Sequence, residues 1–301
     1  MNTSVKFCGV EFKNPIITAS GTCNFGMEQN EYFDISELGG ICVKGLTLKP
    51  REGNPSPRIA ETPAGILNSV GLQNPGVKSF VNDIMPIIKG KTNIIANIAG
   101  STQEEYEEMA EILSDSDVDI IEVNLSCPNV KAGGVAFGTD PKILEQVTRA
   151  VRNRCKKPIA IKLTPNVTSI ADMAKAAEAG GADAVSLINT LLGMKIDVRT
   201  RRPVLFQNTG GLSGPAVKPV AVRMVWQVKN AVSIPIIGMG GIATGEDAAE
   251  FMLAGATLTA VGTMSLVNPD APYTVVCGFK DYMKKYGIEN AADLIGGVIP
   301  N

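Results

Sequence analysis

Short apolar runs rich in Ile and Val recur along the chain, and each gives way to a stretch with helix-like spacing of apolar positions. The runs predict strands over residues 15–20, 40–47, 93–100, 119–126, 158–164, 184–190, 234–241 and 258–264. A hairpin is expected before them, at 4–7 and 10–13, turning at Cys8-Gly9. The strands are apolar on both faces, as parallel strands covered by helices on each side must be. Thr102 heads an acidic turn (Gln103, Glu104, Glu105), where negative charge suits the helix dipole. Thr168 and Thr244 are the expected N-caps before helices at 170–179 and 247–253, with Gly180-Gly181 and Gly255 as stops. Met109, Ile112 and Leu113 form an ordinary core-facing stripe. Eight β–α units predict a (β/α)8 TIM barrel, with a doubly wound sheet as the alternative. No linker or composition break divides the chain, so a single domain over 1–301 is expected. The connections at 49–78 and 191–213 are longer than a barrel needs, and such loops cover the active face.

Four of the runs end on a polar group: Lys44, Asn97, Asn124 and Lys162. Alternation turns these away from their apolar neighbours, and in a barrel that direction is the axis near the mouth. A solitary lysine can snorkel, but four matching positions predict a cavity with two cations and several amides. Such a lining suits an anionic ligand rich in carbonyl or ring-nitrogen acceptors. The centre of the pattern is the stretch 119–129, in which Glu122, Asn124 and Ser126 share one side. Pro128 ends that strand beside Cys127, and a glycine-containing loop at 131–135 follows as a candidate closing element. Buried free cysteine is usually a small apolar residue, which fits Cys42 and Cys155; amides around Cys127 predict a catalytic thiol instead.

Two glycine turns, Gly238-Met-Gly-Gly-Ile-Ala243 and Gly262-Thr263, follow the last two strands, where barrels bind phosphate. The first also matches G-x-G-x-x-A, yet the acidic residue that a dinucleotide site needs about 20 positions later is missing. A phosphate cup is therefore favoured over a Rossmann site, and tight packing is the bland alternative.

Composition narrows the chemistry. The chain contains no histidine, which excludes Ser–His and Cys–His nucleophiles and histidine metal sites. Proton transfer falls to Cys, Lys, Tyr or a carboxylate. Six scattered cysteines without a C-x-x-C pair predict reduced thiols in a cytoplasmic protein, with no metal site. The net charge of −2 gives no reason to expect nucleic acid or an anionic membrane, and no apolar run approaches the roughly 18 residues a membrane span needs.

The chain resembles the class 1 dihydroorotate dehydrogenases over essentially its whole length. The matching motifs are Asn14-Pro-Ile-Ile-Thr-Ala-Ser-Gly-Thr22, Val43-Lys-Gly-Leu-Thr47, Asn68-Ser-Val-Gly-Leu-Gln-Asn-Pro-Gly76, Asn124-Leu-Ser-Cys-Pro-Asn129, Ile188-Asn-Thr190, Gly210-Gly-Leu-Ser-Gly214 and Gly238-Met-Gly-Gly241. The stretch 51–62 is similar to the B subtype. The resemblance implies FMN contacted by Ala19, Ser20, Lys44, Gly45, Asn97, Asn124, Lys162, Ile188 and Gly214, with its phosphate at Gly240, Gly241, Gly262 and Thr263. It implies dihydroorotate held by Lys44, Asn68, Ser69, Val70, Gly71, Leu72, Asn124, Asn189 and Thr190, with Cys127 as the base and Lys162 beside the flavin. It also implies a homodimer within a heterotetramer, whose partner subunit carries FAD and a 2Fe–2S iron–sulfur cluster and passes electrons to NAD. An A-subtype homodimer reducing fumarate and a dihydropyrimidine dehydrogenase are the nearest alternatives. An aldolase using Lys162 as a Schiff base and a non-catalytic binding barrel are the rivals outside the family.

Overall fold

A computed structural model describes residues 1–126, 131–132 and 135–301. Strands β1 (Val5–Phe7) and β2 (Val10–Phe12) form the expected antiparallel hairpin. Its turn places Cys8 and Gly9 at positive φ, 49° and 84°. The barrel strands are β3 (Ile16–Thr18), β4 (Gly40–Cys42), β7 (Asn93–Ile98), β8 (Ile120–Asn124), β9 (Ile159–Lys162), β10 (Ala184–Leu187), β13 (Ile236–Met239) and β14 (Leu258–Val261). Each pairs in parallel with the next, and β14 returns to β3, closing an eight-stranded barrel. All eight carboxyl ends therefore lie at one end of the cylinder, which is where this fold keeps its chemistry. The open, doubly wound alternative is excluded by that closure.

Among the described residues, six helices of ten or more residues pack on the strands: α1 (Gln103–Ser114), α2 (Pro141–Arg154), α3 (Ile170–Ala179), α4 (Lys218–Lys229), α5 (Gly245–Ala254) and α6 (Ala271–Lys285). Thr102 caps α1, accepting from the Glu105 amide at 3.3 Å. Thr244 caps α5 in a reciprocal box, accepting from the Asp247 amide at 3.1 Å while Asp247 accepts from the Thr244 amide at 2.8 Å. Two expectations need correction. Ser169, not Thr168, caps α3, because its hydroxyl is the one that accepts from the Asp172 amide. No α-helix joins β3 to β4; that segment turns through Gly21, Asn24 and Gly26 at positive φ and makes only short 3-10 turns at Gln29–Glu31 and Ile35–Glu37.

The two long connections are not separate loops. The first forms β5 (Ile59–Thr62) and β6 (Gly65–Asn68), and the second forms β11 (Leu191–Met194) and β12 (Thr209–Ser213). They combine into one antiparallel sheet in the order β11-β12-β6-β5. Its inner face closes on a satellite cluster of Ala60, Leu67 and Leu205, apart from the main core.

Candidate active site

The barrel interior turns polar only toward its carboxyl end. Lys162 stands opposite Asn124 and Ser186 in the strand register, and Asn97 stands opposite Glu122. Asn97, Glu122, Asn124, Lys162 and Ser186 are all buried. Among the described residues, Glu122 and Lys162 are the only buried charged side chains. The Lys162 ammonium lies 3.4 Å from Glu122 Oε2. The same oxygen accepts from Asn97 Nδ2 at 2.5 Å and from the Cys42 thiol at 3.4 Å.

Burial pushes the Glu122 carboxyl upward, but the Lys162 ammonium and the Ser186, Asn97 and Cys42 groups outweigh it and hold the pKa below the ordinary value. The Ser186 hydroxyl helps from nearby without completing a hydrogen bond. Burial, joined by the Glu122 charge, raises the Cys42 thiol well above its ordinary range, so Cys42 remains a neutral donor. Alternation puts Glu122 on the same side as Asn124 and Ser126, but no sequence signal names its partner.

Above this layer sit the other expected residues. Ala19 follows β3 and donates its amide to Val261 O at 2.8 Å, with Ser20 half-buried beside it. Lys44 and Gly45 follow β4; a Cβ added at Gly45 would meet Asn97 Oδ1 at 2.9 Å. Burial lowers the Lys44 pKa, and the nearby Arg58 guanidinium lowers it further. Ile188, Asn189 and Thr190 follow β10, where the Asn189 amide group donates to the Ser126 hydroxyl, which in turn bonds Asn124 Oδ1.

The segment Asn68–Leu72 arrives from β6. Asn54 donates to Ser69 O at 2.7 Å, and Gly71 (φ 79°) passes so close to Asn54 that a Cβ would meet it at 2.6 Å. Leu72 also adopts positive φ, 57°, and Val70 accepts from the Asn54 amide at 2.9 Å. Three buried oxygens at this end, Asn97 Oδ1, Ser186 Oγ and Ser69 Oγ, have no hydrogen-bond partner among the described residues. Such orphans are costly unless something else completes them.

The glycine turns form a cradle. Gly240 and Gly241 have φ of 129° and 84°, and a Cβ on Gly241 would meet Gly214 O at 2.9 Å and the Lys218 amide nitrogen at 3.1 Å. Gly214 itself has φ 103° and lies against Thr263, whose hydroxyl bonds Ser213 Oγ at 2.8 Å. Gly262 is different: a Cβ there would make only ordinary contacts, 3.5 Å to Ala19 and 4.0 Å to Thr22. Backbone amides, hydroxyls and the start of α4 thus converge where an anion can approach main chain closely. Cys127 and the Gly133-Gly134 pair of the following loop lie outside the described residues. Among the described residues no cluster of acidic or thiol groups is placed to hold a metal, and no helix is long and apolar enough to cross a membrane.

Known proteins supply an independent comparison. The family model for dihydroorotate dehydrogenase matches residues 2–283. The dihydroorotate dehydrogenase B (NAD(+)) catalytic subunit of Alkaliphilus oremlandii is 57% identical over 296 residues, covering 98% of each chain. That of Bacteroides fragilis is 53% identical over 297 residues, again covering 98% of each. A crystal structure of dihydroorotate dehydrogenase from Eimeria tenella, in complex with ferulenol, superimposes with a TM-score of 0.83 at 22% identity, covering 98% of this chain and 88% of that one; it speaks for the fold. With a family match across nearly its whole length and relatives above half identity, the chain belongs to the dihydroorotate dehydrogenase family.

Proposed function

We propose that this chain is a catalytic subunit that oxidises dihydroorotate to orotate in de novo pyrimidine biosynthesis, using FMN held at the carboxyl end of the barrel. The observation that carries this reading is the convergence there of Lys44, Asn97, Asn124 and Lys162 with unpartnered buried oxygens. Those features fit FMN. Asn97 Oδ1 offers an acceptor for a ring N–H, and the closely packed glycine backbone at Gly214 and Gly241, with the Thr263 hydroxyl beside it, offers donors for a phosphate. In this reading Ala19, Ser20, Gly45 and Ile188 border the ring, and Gly240 and Gly262 complete the phosphate site.

FMN, when bound, supplies the hydride acceptor for C6 of the substrate. The chain's own groups do the rest. Lys44 holds the substrate carboxylate. Asn68, Asn124 and Asn189 bind the alternating donors and acceptors of the ring, and Thr190 and the segment 69–72 enclose it. Cys127 takes the proton from C5, so that loss of hydride at C6 leaves a C5–C6 double bond. A free thiol titrates near about 8.5, so proton removal is favoured by surroundings that stabilise thiolate. Lys162 places a fixed positive charge where negative charge grows.

The relatives' designation as catalytic subunits supports a second subunit here. We place FAD and a 2Fe–2S cluster on it, with electrons passing to NAD from a cytoplasmic assembly built on a homodimer of this chain.

Purified protein supplied with FMN and mixed anaerobically with dihydroorotate should lose flavin absorbance near about 450 nm, and dihydrouracil should not replace it. Protein that stays colourless with FMN present would end the reading. Cys127→Ala should retain FMN and be reduced far more slowly; an unchanged rate removes Cys127 from the role of base.

A further inference from the structure

The proposed function leaves one deeply enclosed group without work. Glu122 has a side chain only 1% exposed, yet it carries a charge inside the barrel wall. An ion pair in such a place is a poor stabiliser, because desolvating two charges offsets most of their attraction. Its geometry is more telling. Glu122 pairs with Ala160 in the register, two residues before Lys162 on the same strand, so the carboxylate lies deeper in the barrel than the lysine's own backbone. One oxygen gathers the Lys162 ammonium, the Asn97 amide and the Cys42 thiol, spanning the four neighbouring strands β4, β7, β8 and β9. Asn97 and Cys42 hold the acid in place, and the acid holds the ammonium.

We propose that Glu122 is a positioning residue for Lys162: it tethers the ammonium from below, fixing where the charge stands relative to bound FMN and hence how strongly reduced flavin is stabilised. This rests on the FMN reading above. It assigns Glu122 no contact with substrate or cofactor. A neutral amide at this position could still accept from Asn97 through its one oxygen, but it could not hold the ammonium by charge. The ammonium would then withdraw from its place above the acid, and the flavin would lose the nearby cation.

The test is the reduction potential of bound FMN, which separates positioning from simple charge removal by its sign. If Glu122 were only a nearby anion, Glu122→Gln would favour the electron-rich flavin and raise the potential. If it positions Lys162, the potential falls. We expect a fall of at least about tenfold in the reduced-to-oxidised ratio, about 30 mV for a two-electron couple. A rise, or no change, overturns the proposal.

Should Glu122→Gln fail to fold, Glu122→Asp keeps the negative charge and shortens the tether by one methylene, drawing the ammonium deeper into the barrel. A plain anion would leave the potential of bound FMN where it is. A lower potential than in wild type supports the tether; an unchanged or raised one overturns it. Wild-type protein that binds no FMN would defeat the functional reading instead, and wild type that is reduced by dihydroorotate leaves that reading standing whatever the variants do.

Discussion

The two ends of the barrel are built from the same strands but treat buried polar atoms in opposite ways. At the amino end the hairpin presses Phe7 and Phe12 into the core, edge to face at 6.2 Å, and both are fully buried. Asn14, also buried there, is matched on both sides: its Oδ1 accepts from the Ile16 and Gly39 amides and its Nδ2 donates to Glu37 O. Burial and the nearby Asp183 carboxylate push the Cys8 thiol up to about 12, leaving it inert at neutral pH. At the carboxyl end, Asn97 Oδ1, Ser186 Oγ and Ser69 Oγ have no protein partner, and glycines take backbone shapes that bring main chain close together. Satisfied polarity closes one end. Unsatisfied polarity marks the end where a ligand is expected to complete it.

The largest expected effect tests the closed end. Phe12→Ala should cost about 3–5 kcal/mol of stability, read by denaturant unfolding, yet leave the FMN affinity of the folded protein unchanged. A parallel loss of flavin affinity would break the division between the ends. Next comes Gly262→Ala. Its Cβ meets only ordinary contacts, so unfolding should shift by less than about 0.5 kcal/mol. FMN binding, followed by quenching of flavin fluorescence, should weaken at least about tenfold, roughly 1.4 kcal/mol. Full affinity would move the phosphate elsewhere. Gly241→Val is a poorer probe, because φ of 84° and the Gly214 carbonyl at 2.9 Å would strain the backbone as well.

The smallest effect sharpens the mouth itself. The Lys44 pKa is lowered by burial and Arg58, so Lys44 loses its proton sooner than a free lysine as pH rises. Binding of the dihydroorotate carboxylate should weaken along with it. Arg58→Gln removes one lowering influence and should move that loss to higher pH, whereas Lys44→Gln should abolish the dependence. A binding curve that ignores pH in wild type would remove Lys44 from the carboxylate site.

The barrel was readable because strand alternation is a local signal. Ile161 beside Lys162 and Ile98 beside Asn97 say which way each side chain faces, and closure then brings Lys44, Asn97, Asn124 and Lys162 to one end. What alternation lacks is register. Glu122 and Lys162 are separated by 40 residues, and only the pairing of β8 with β9 shows that they meet. The sheet made by the two long connections was hidden for another reason. Thr209-Gly-Gly-Leu-Ser213 has little intrinsic strand preference, and it becomes a strand only because β6 and β11 flank it. Similarly, the absent helix between β3 and β4 follows from positive-φ turns that apolar spacing does not register.

That composite sheet has a consequence for how the molecule can change. In β6 and β12, Leu67 faces Leu212 and Asn68 faces Gly211, so the two insertions are clasped tooth by tooth. Losing one residue from either side would invert the row, lifting Leu67 out of its small apolar nest and swinging Asn68 off the opening. These stretches, long enough to pass for freely variable surface, are therefore locked in length as a couple, and a deletion in one would be tolerated only alongside a matching change in the other.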